Sequence, residues 1–264
     1  NIYEITFSPT GGTKKIADFL AAELRREIKC IDLSNSNEDF HQFSLTNEDT
    51  AIVAVPSYSG RVPSTAAERI AKIQGNGAKA ILVCVYGNRA YEDTLVELQD
   101  IVQQAGFTVI SAIAAVAEHS IAHRYATNRP DKDDYGHLRA FAEQIGDKLE
   151  ENDFSTPAIP GNRPYRKVAK AGIVPKATKA CTNAVSVLPD VQLVPSQEQS
   201  GKSKQESLYL VHAIVTVCPH HARRDKRIAS GYRKYDAQEG MYCAKRMRAV
   251  SLMHHFGHPF ENYV

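Results

Sequence analysis

No stretch of the chain stays apolar for the roughly 18 to 20 residues that a bilayer crossing needs. The strongest run, around Ala78 to Tyr86, is far shorter, and no charged-then-apolar leader is visible, so the expected location is the cytoplasm. Cysteine is scarce: Cys30, Cys84, Cys181, Cys218 and Cys243 are an odd, scattered five with no Cys-x-x-Cys, which argues against a disulfide framework or a zinc ribbon. Also missing are Gly-x4-Gly-Lys-Ser/Thr, Gly-x-Gly-x-x-Gly, His-Glu-x-x-His and any Ser-His-Asp arrangement of telling spacing. P-loop, dinucleotide-fingerprint and zinc-hydrolase chemistry therefore have no support.

What is present is an ordinary globular composition, 43% hydrophobic and 23% charged, which excludes disordered, collagen-like and disulfide-scaffold classes. At roughly 150 residues per domain, 264 residues make one large domain or two modest ones. The net charge of +2 conceals a division: residues 1–153 carry 15 Lys and Arg against 23 Asp and Glu, net −8, and residues 154–264 carry 17 against 7, net +10. Between the two lies Ser155-Thr-Pro-Ala-Ile-Pro-Gly-Asn-Arg-Pro164, whose prolines and glycine have linker composition. We place the boundary there, with one domain over 1–153 and a linker, a second domain and a basic tail over 154–264.

The first part alternates strand and helix signals. Ile2 to Phe7, Cys30 to Leu33, Ala51 to Val55, Lys79 to Tyr86 and Thr108 to Ala117 are strand-like, several of them continuous apolar runs as in strands covered on both faces. Ile16, Phe19, Leu20 and Leu24 fall on one face of a 3.6-residue period, and so do Leu138, Phe141, Ala142, Ile145 and Leu149. Five strands and at least four helices in βαβ order predict an α/β fold with a doubly wound, five-stranded parallel sheet. Its ligand belongs at the carboxyl ends of the strands, at the topological switch point.

Three loops fall at such ends. The first, Ser8-Pro9-Thr10-Gly11-Gly12-Thr13, sets three hydroxyls and two glycines directly before a helix, so that backbone N–H groups and the helix dipole favour a phosphate without a metal. Lys14 and Lys15 add positive charge nearby. The plainer reading is a tight turn with a Thr N-cap. The second loop runs from Pro56, Ser57, Tyr58, Ser59 and Gly60 to Pro63, and the third is Tyr86-Gly87-Asn88-Arg-Ala-Tyr91-Glu-Asp93. Tyr58 and Tyr91 could grip a flat heteroaromatic ring while the peptide groups of Ser57 to Gly60 and of Gly87 and Asn88 read its edge. With the first loop, this suggests a mononucleotide carrying an aromatic ring.

Ser8-x-Thr10-Gly11-x-Thr13 after the first strand resembles the phosphate loop of flavodoxins, and the other two loops match in position the pair that sandwiches the isoalloxazine. Phe7-Ser-Pro-Thr-Gly-Gly-Thr-Lys-Lys, Pro56 to Pro63 and Val85-Tyr-Gly-Asn-Arg-Ala-Tyr look more specifically like the flavodoxin-ferredoxin fusions called ferrodoxins, over residues 1 to about 228. That resemblance implies bound flavin mononucleotide (FMN), electron transfer to redox proteins or small donors and acceptors, and a second, small ferredoxin-like α+β domain with two 4Fe-4S clusters.

The second part departs from the family. Cys218-Pro resembles the end of a Cys-x2-Cys-x2-Cys-x3-Cys-Pro run, but its other positions are Leu208, Val211 and Ile214. The run beginning at Cys181 continues at Ala184, Val187 and Val191. Six of eight expected thiolates are thus aliphatic, and Cys181 and Cys218 alone do not hold a cube, so both clusters are expected to be absent. The expected function is FMN-dependent electron transfer, more a carrier than an enzyme. Alternatives are an FMN-dependent reductase of a small acceptor, a non-redox scaffold with an empty pocket, and an iron-sulfur flavoprotein with unconventional ligands. His119, His123 and Arg124 follow the fifth strand, where a substrate or the flavin edge could approach, though a solvated loop with a hydrogen-bonded histidine is the plainer reading; His254 to His258 reads as a tail rather than as a metal tract. The basic cluster Arg223, Arg224, Lys226, Arg227 lacks interleaved aromatics, so neither nucleic acid nor membrane is the expected partner.

Overall fold

The computed structural model describes residues 1–120 and 122–167, together with three two-residue strands further on. Along the chain, β1 (Ile2–Thr6), α1 (Gly12–Glu23), β2 (Ile28–Asp32), a 3-10 turn (Phe40–Gln42), β3 (Thr50–Pro56), α2 (Ser64–Ile70), β4 (Lys79–Tyr86), α3 (Thr94–Gln104), β5 (Thr108–Val116) and α4 (Lys132–Glu150) follow one another. The strands lie in the order β2-β1-β3-β4-β5 and all four pairings are parallel. The chain leaves β1 toward β2 on one side and returns to β3 on the other, so the switch point lies between β1 and β3.

The apolar runs of the middle strands follow from this layering. In β3, Ala51, Val53 and Val55 face one helical layer while Ile52 and Ala54 face the other; β4 repeats the alternation with Ala80, Leu82 and Cys84 against Ile81, Val83 and Val85. On the first face pack Ala66 and Ile70 of α2 and Leu95, Leu98 and Val102 of α3. On the second pack Ile16, Ala17 and Leu20 of α1 with Leu138, Ala142 and Ile145 of α4, all but Ala17 among the periodic positions. Fully burying one such Leu or Ile contributes about 1.5–3 kcal/mol. Only Ile31 of β2 is buried, as suits an edge strand that otherwise exposes Ile28, Lys29, Cys30 and Asp32.

Past α4 the chain does not leave this body. Phe154 packs on the α1/α4 face and Ile159 on the α2/α3 face, and residues 160–167 form a strap across the head of α3. Of the remaining short strands, β6 (Lys176–Ala177) pairs with β7 (Arg223–Arg224), and β8 (Arg248–Ala249) runs antiparallel beside β5. The ferredoxin-like expectation, with Cys181, Cys218 and the six aliphatic positions, lies outside the described residues, as do His254 to His258. No helix among the described residues is long and apolar enough to cross a membrane.

Candidate functional site

The ladder continues past the strand ends and gathers the loops on one edge. Phe7 donates its N–H to Ala54 O (3.0 Å), Ser57 to Val85 O (2.8 Å) and Ala117 to Tyr86 O (3.1 Å). The first, second and third loops therefore stand side by side above β1, β3 and β4, with the loop after β5 flanking them.

In the first loop, the N-cap of α1 is Gly11, not a threonine. It sits at φ 82, a conformation that costs a side chain about 1–2 kcal/mol, and as a glycine it offers no side-chain cap of its own. Gly11 donates to Ser8 O (3.2 Å), and Ser8 Oγ accepts the N–H of Lys14 (2.9 Å). Because that hydroxyl is an acceptor toward the helix, its own proton is free to turn outward. The N–H groups of Gly12 and Thr13 find no acceptor among the described residues, as first-turn donors do when nothing caps them. A Cβ on Gly11 or Gly12 would meet nothing within 4 Å, so the helix head opens onto free space.

The lysines beside this cradle do not point into it. Lys14 Nζ bonds Glu4 Oε1 (3.1 Å) and Asp18 Oδ1 (2.5 Å), and these bonds hold its pKa above the ordinary lysine value although burial opposes them. Lys15 lies over the Tyr135 ring, 5.9 Å from its centroid. What remains at the cradle is neutral: hydroxyls, amides and the dipole of a twelve-residue helix.

The second loop is a two-residue turn closed from both ends, Tyr58 N–H to Arg61 O (3.1 Å) and Arg61 N–H to Tyr58 O (3.2 Å). Ser59 (φ 56) and Gly60 (φ 75) are its centre, the positive-φ pair that such hairpin turns require. Gly60 is doubly constrained, because a Cβ there would lie 1.8 Å from Glu92 Oε2. Ser57 Oγ pairs with Thr94 Oγ1 (2.7 Å) and donates to Tyr91 O (3.4 Å), so it joins the second loop to the third rather than facing the crevice freely.

In the third loop, the Tyr86 and Tyr91 rings meet edge to face with centroids 5.5 Å apart. Asn88, at φ 65, keeps Oδ1 enclosed with no donor among the described residues. Gly87 rests on the ring of His119, which a Cβ would approach to 2.8 Å. Burial lowers the His119 pKa to about 4, so the imidazole is neutral near pH 7; its Nδ1 accepts from Ala122 N–H (3.2 Å), leaving Nε2 protonated. His123 instead pairs with Glu118 (2.6 Å), and Arg124 with Tyr125 Oη (2.9 Å).

Around the third loop lie groups that no local sequence pattern pointed to. Asp93, 2% exposed, occupies the N-cap position of α3 yet caps nothing. Its Oδ1 accepts from Asn162 N (2.9 Å) and Nδ2 (3.0 Å), and its Oδ2 from Arg166 N (2.7 Å). Burial raises the Asp93 pKa, but these donors outweigh it and hold the carboxyl below its ordinary range. Arg61 binds Glu97 through Nε and Nη2, both at 2.7 Å, donates from Nη1 to Arg166 O (2.8 Å) and lies over the Tyr165 ring. Between strap and third loop is a cleft of about 590 Å³ with Tyr86, Tyr91, Arg89 and Arg166 in its walls. No cluster of His, Cys, Asp or Glu among the described residues could hold a metal ion.

A five-stranded parallel sheet in the order β2-β1-β3-β4-β5, with helices on both faces and its switch point opening on a hydroxyl-lined helix head, defines a doubly wound α/β domain. The flavodoxin family model matches residues 5–126, so the N-terminal part of the chain is a flavodoxin-like domain. Among solved structures, the chain is similar to a flavodoxin of Streptococcus pneumoniae TIGR4 (24% identity, 56% of this chain and 99% of that one, TM-score 0.41). It is also similar to the oxidised flavodoxin 1 of Bacillus cereus (18%, 55% and 95%, 0.40) and to a Fusobacterium nucleatum flavodoxin bound to flavin mononucleotide (18%, 57% and 94%, 0.35). No curated protein matches the chain. The assignment of the domain rests on the family match and on the sheet order, not on these superpositions.

Proposed function

We propose that residues 1–167 bind FMN and pass electrons between redox partners, proteins or small donors and acceptors. The observation that carries this reading is the head of α1: open space over Gly11 and Gly12, and N–H donors of Gly12 and Thr13 without acceptors among the described residues. A phosphate there gains charge-assisted hydrogen bonds from the amides and from Ser8, Thr10 and Thr13, each contributing about 1.5–3 kcal/mol. The enclosed Asn88 Oδ1 fits a ring N–H, and the turns holding Ser57, Ser59, Gly60 and Gly87 offer peptide groups to the ring edge, with Tyr58 and Tyr91 on its faces. Pro9, Pro56 and Tyr86 shape the approaches. Bound flavin supplies the one- and two-electron chemistry; the loops bind it, orient it and exclude water. Neutral His119 holds Gly87 in place and brings no charge to the ring.

Titration with FMN, followed by quenching of flavin fluorescence, tests the reading. Saturable one-to-one quenching that is stronger for FMN than for riboflavin supports it. The absence of quenching, or equal affinity for the two flavins, overturns it.

In this proposal the C-terminal part builds no 4Fe-4S cluster, because only Cys181 and Cys218 of the eight ligand positions are cysteine. Iron and sulfide analysis after anaerobic reconstitution checks this, and stoichiometric iron refutes it. The cleft beside Tyr91 and Arg166 favours one second reading, an FMN-dependent reductase of a small acceptor. Turnover with NAD(P)H and a quinone separates it from a pure carrier.

A further inference from the structure

The strap is fastened by the same residues that shape the ring loops. Arg61 closes the Tyr58–Arg61 turn and also donates to Arg166 O while lying over Tyr165. Asp93 ends the third loop; its N–H donates to Gly60 O (3.2 Å), and both oxygens of its carboxylate are taken by strap donors. Glu97 completes the frame, binding Arg61 and accepting the N–H of Val62 (2.8 Å). Second loop, third loop and strap thus form one hydrogen-bonded body. On its outer side, Arg163 binds Asp100 through two bonds (2.8 and 2.7 Å) and Tyr165 Oη bonds the same carboxylate.

Asp93 makes the strap more than a passive covering. A carboxylate at an N-cap position ordinarily accepts from the first turn of its own helix; here it faces the strap instead. If the strap lifts, a buried charge loses all three donors and the residue adjoining Gly60 and Tyr91 must move to regain partners. We infer that strap residues 160–167 are positioning elements of the ring site: latched on Asp93 and Arg61, they set the conformation of the Tyr58 and Tyr91 loops and thereby the affinity for the flavin ring. The inference rests on the FMN reading proposed above.

Because the coupling is reciprocal, it is measurable from both ends. In the full chain, the double substitution Asn162→Ala, Arg166→Pro removes two of the three donors to Asp93, the Asn162 carboxamide and the Arg166 amide, without touching a loop residue. FMN and riboflavin are expected to bind more weakly by the same factor, about tenfold, within the usual range of coupling between sites. A substitution in the phosphate loop, such as Thr10→Ala, weakens FMN only. In the unmodified chain, saturating FMN should slow hydrogen exchange at the amides of Asn162 and Arg166, a readout independent of any variant's folding. Unchanged flavin affinity in the double variant, or unchanged exchange at those two amides in a chain that binds FMN, overturns the inference. A chain that binds no FMN overturns the functional reading instead.

Discussion

Gly12 separates the energetics of the fold from those of the ligand, because one substitution should move them in opposite directions. Gly12 is the first residue of α1, its φ is not positive, and a Cβ placed on it would meet nothing within 4 Å. Alanine at this position therefore introduces no clash and no strain. Within a helix it is favoured over glycine by roughly 0.5–1 kcal/mol, and at the less constrained first turn we take the lower figure, about 0.5 kcal/mol. For a chain of this size that corresponds to a rise in Tm of about 1–2 °C in the absence of flavin. The same methyl group projects into the space that the phosphate would occupy. Forcing the phosphate off the helix head loses one charge-assisted bond of about 1.5–3 kcal/mol, so FMN should bind Gly12→Ala roughly 10- to 150-fold more weakly. Riboflavin, having no phosphate, should bind it as it binds the unmodified protein. Thermal melting without flavin and fluorescence titration with both flavins give the three numbers. Unchanged FMN affinity, or an equal loss for riboflavin, refutes the placement of the phosphate at the head of α1.

Gly60→Ala should behave in the opposite way: the positive φ and the contact with Glu92 together cost about 2–4 kcal/mol, visible as a lower urea midpoint before any flavin is added. The neutral state of His119 contributes stability that is complete above its ordinary pKa of 6.5 and is lost as the pH falls from there toward about 4, roughly 3 kcal/mol in all. Denaturation midpoints between pH 7 and 4 should therefore fall less steeply in His119→Gln, and parallel profiles for the two proteins would refute the assignment. Asp93 and Asp100 have folded pKa values below the ordinary carboxylate range, so their contribution persists above that range and disappears only as the pH falls through it. Exchange protection at the strap amides should accordingly survive to below the ordinary carboxylate range; loss near pH 6 would show that another group holds the strap.

What the sequence made legible is what it stores locally. Continuous apolar runs marked β3, β4 and β5 because each is covered on both faces, and the periodic residues of α1 and α4 are buried or, for Phe19, Leu24, Phe141 and Leu149, partly buried against the core. The first loop could be read because strand end, small residues and helix start are contiguous. The charge around it could not be read. Lys14 is adjacent to the loop in sequence, but its ammonium turns to Asp18 one turn ahead and back to Glu4 on β1, leaving the cradle neutral. The strap was illegible for a different reason. Its partners lie 63 to 105 positions away, and its Pro and Gly content, which suggests a linker, is here that of an extended segment threading past Val96, with Gly161 where a Cβ would come within 2.3 Å of that side chain.

The charge division along the chain is easily mistaken for what holds the strap. Arg163 and Arg166 come from the basic part, and Asp100 and Glu92 from the acidic part, as attraction between oppositely charged halves would have it. But the arginine ends of both pairs are open to water, with side-chain exposures of 50% for Arg163 and 40% for Arg166, and an ion pair so open contributes about 0–1 kcal/mol and is screened by salt. The three bonds to buried Asp93 are of another kind: two come from backbone amides and one from the Asn162 carboxamide, none from a cation. Bonds to a charged acceptor contribute about 1.5–3 kcal/mol each, and 2% exposure leaves the carboxylate no solvent to fall back on. The arginines therefore steer the segment toward α3, whereas the grip belongs to a single carboxylate that recognises a particular backbone conformation. The strap's hold on the ring loops should accordingly depend on its conformation and only weakly on ionic strength.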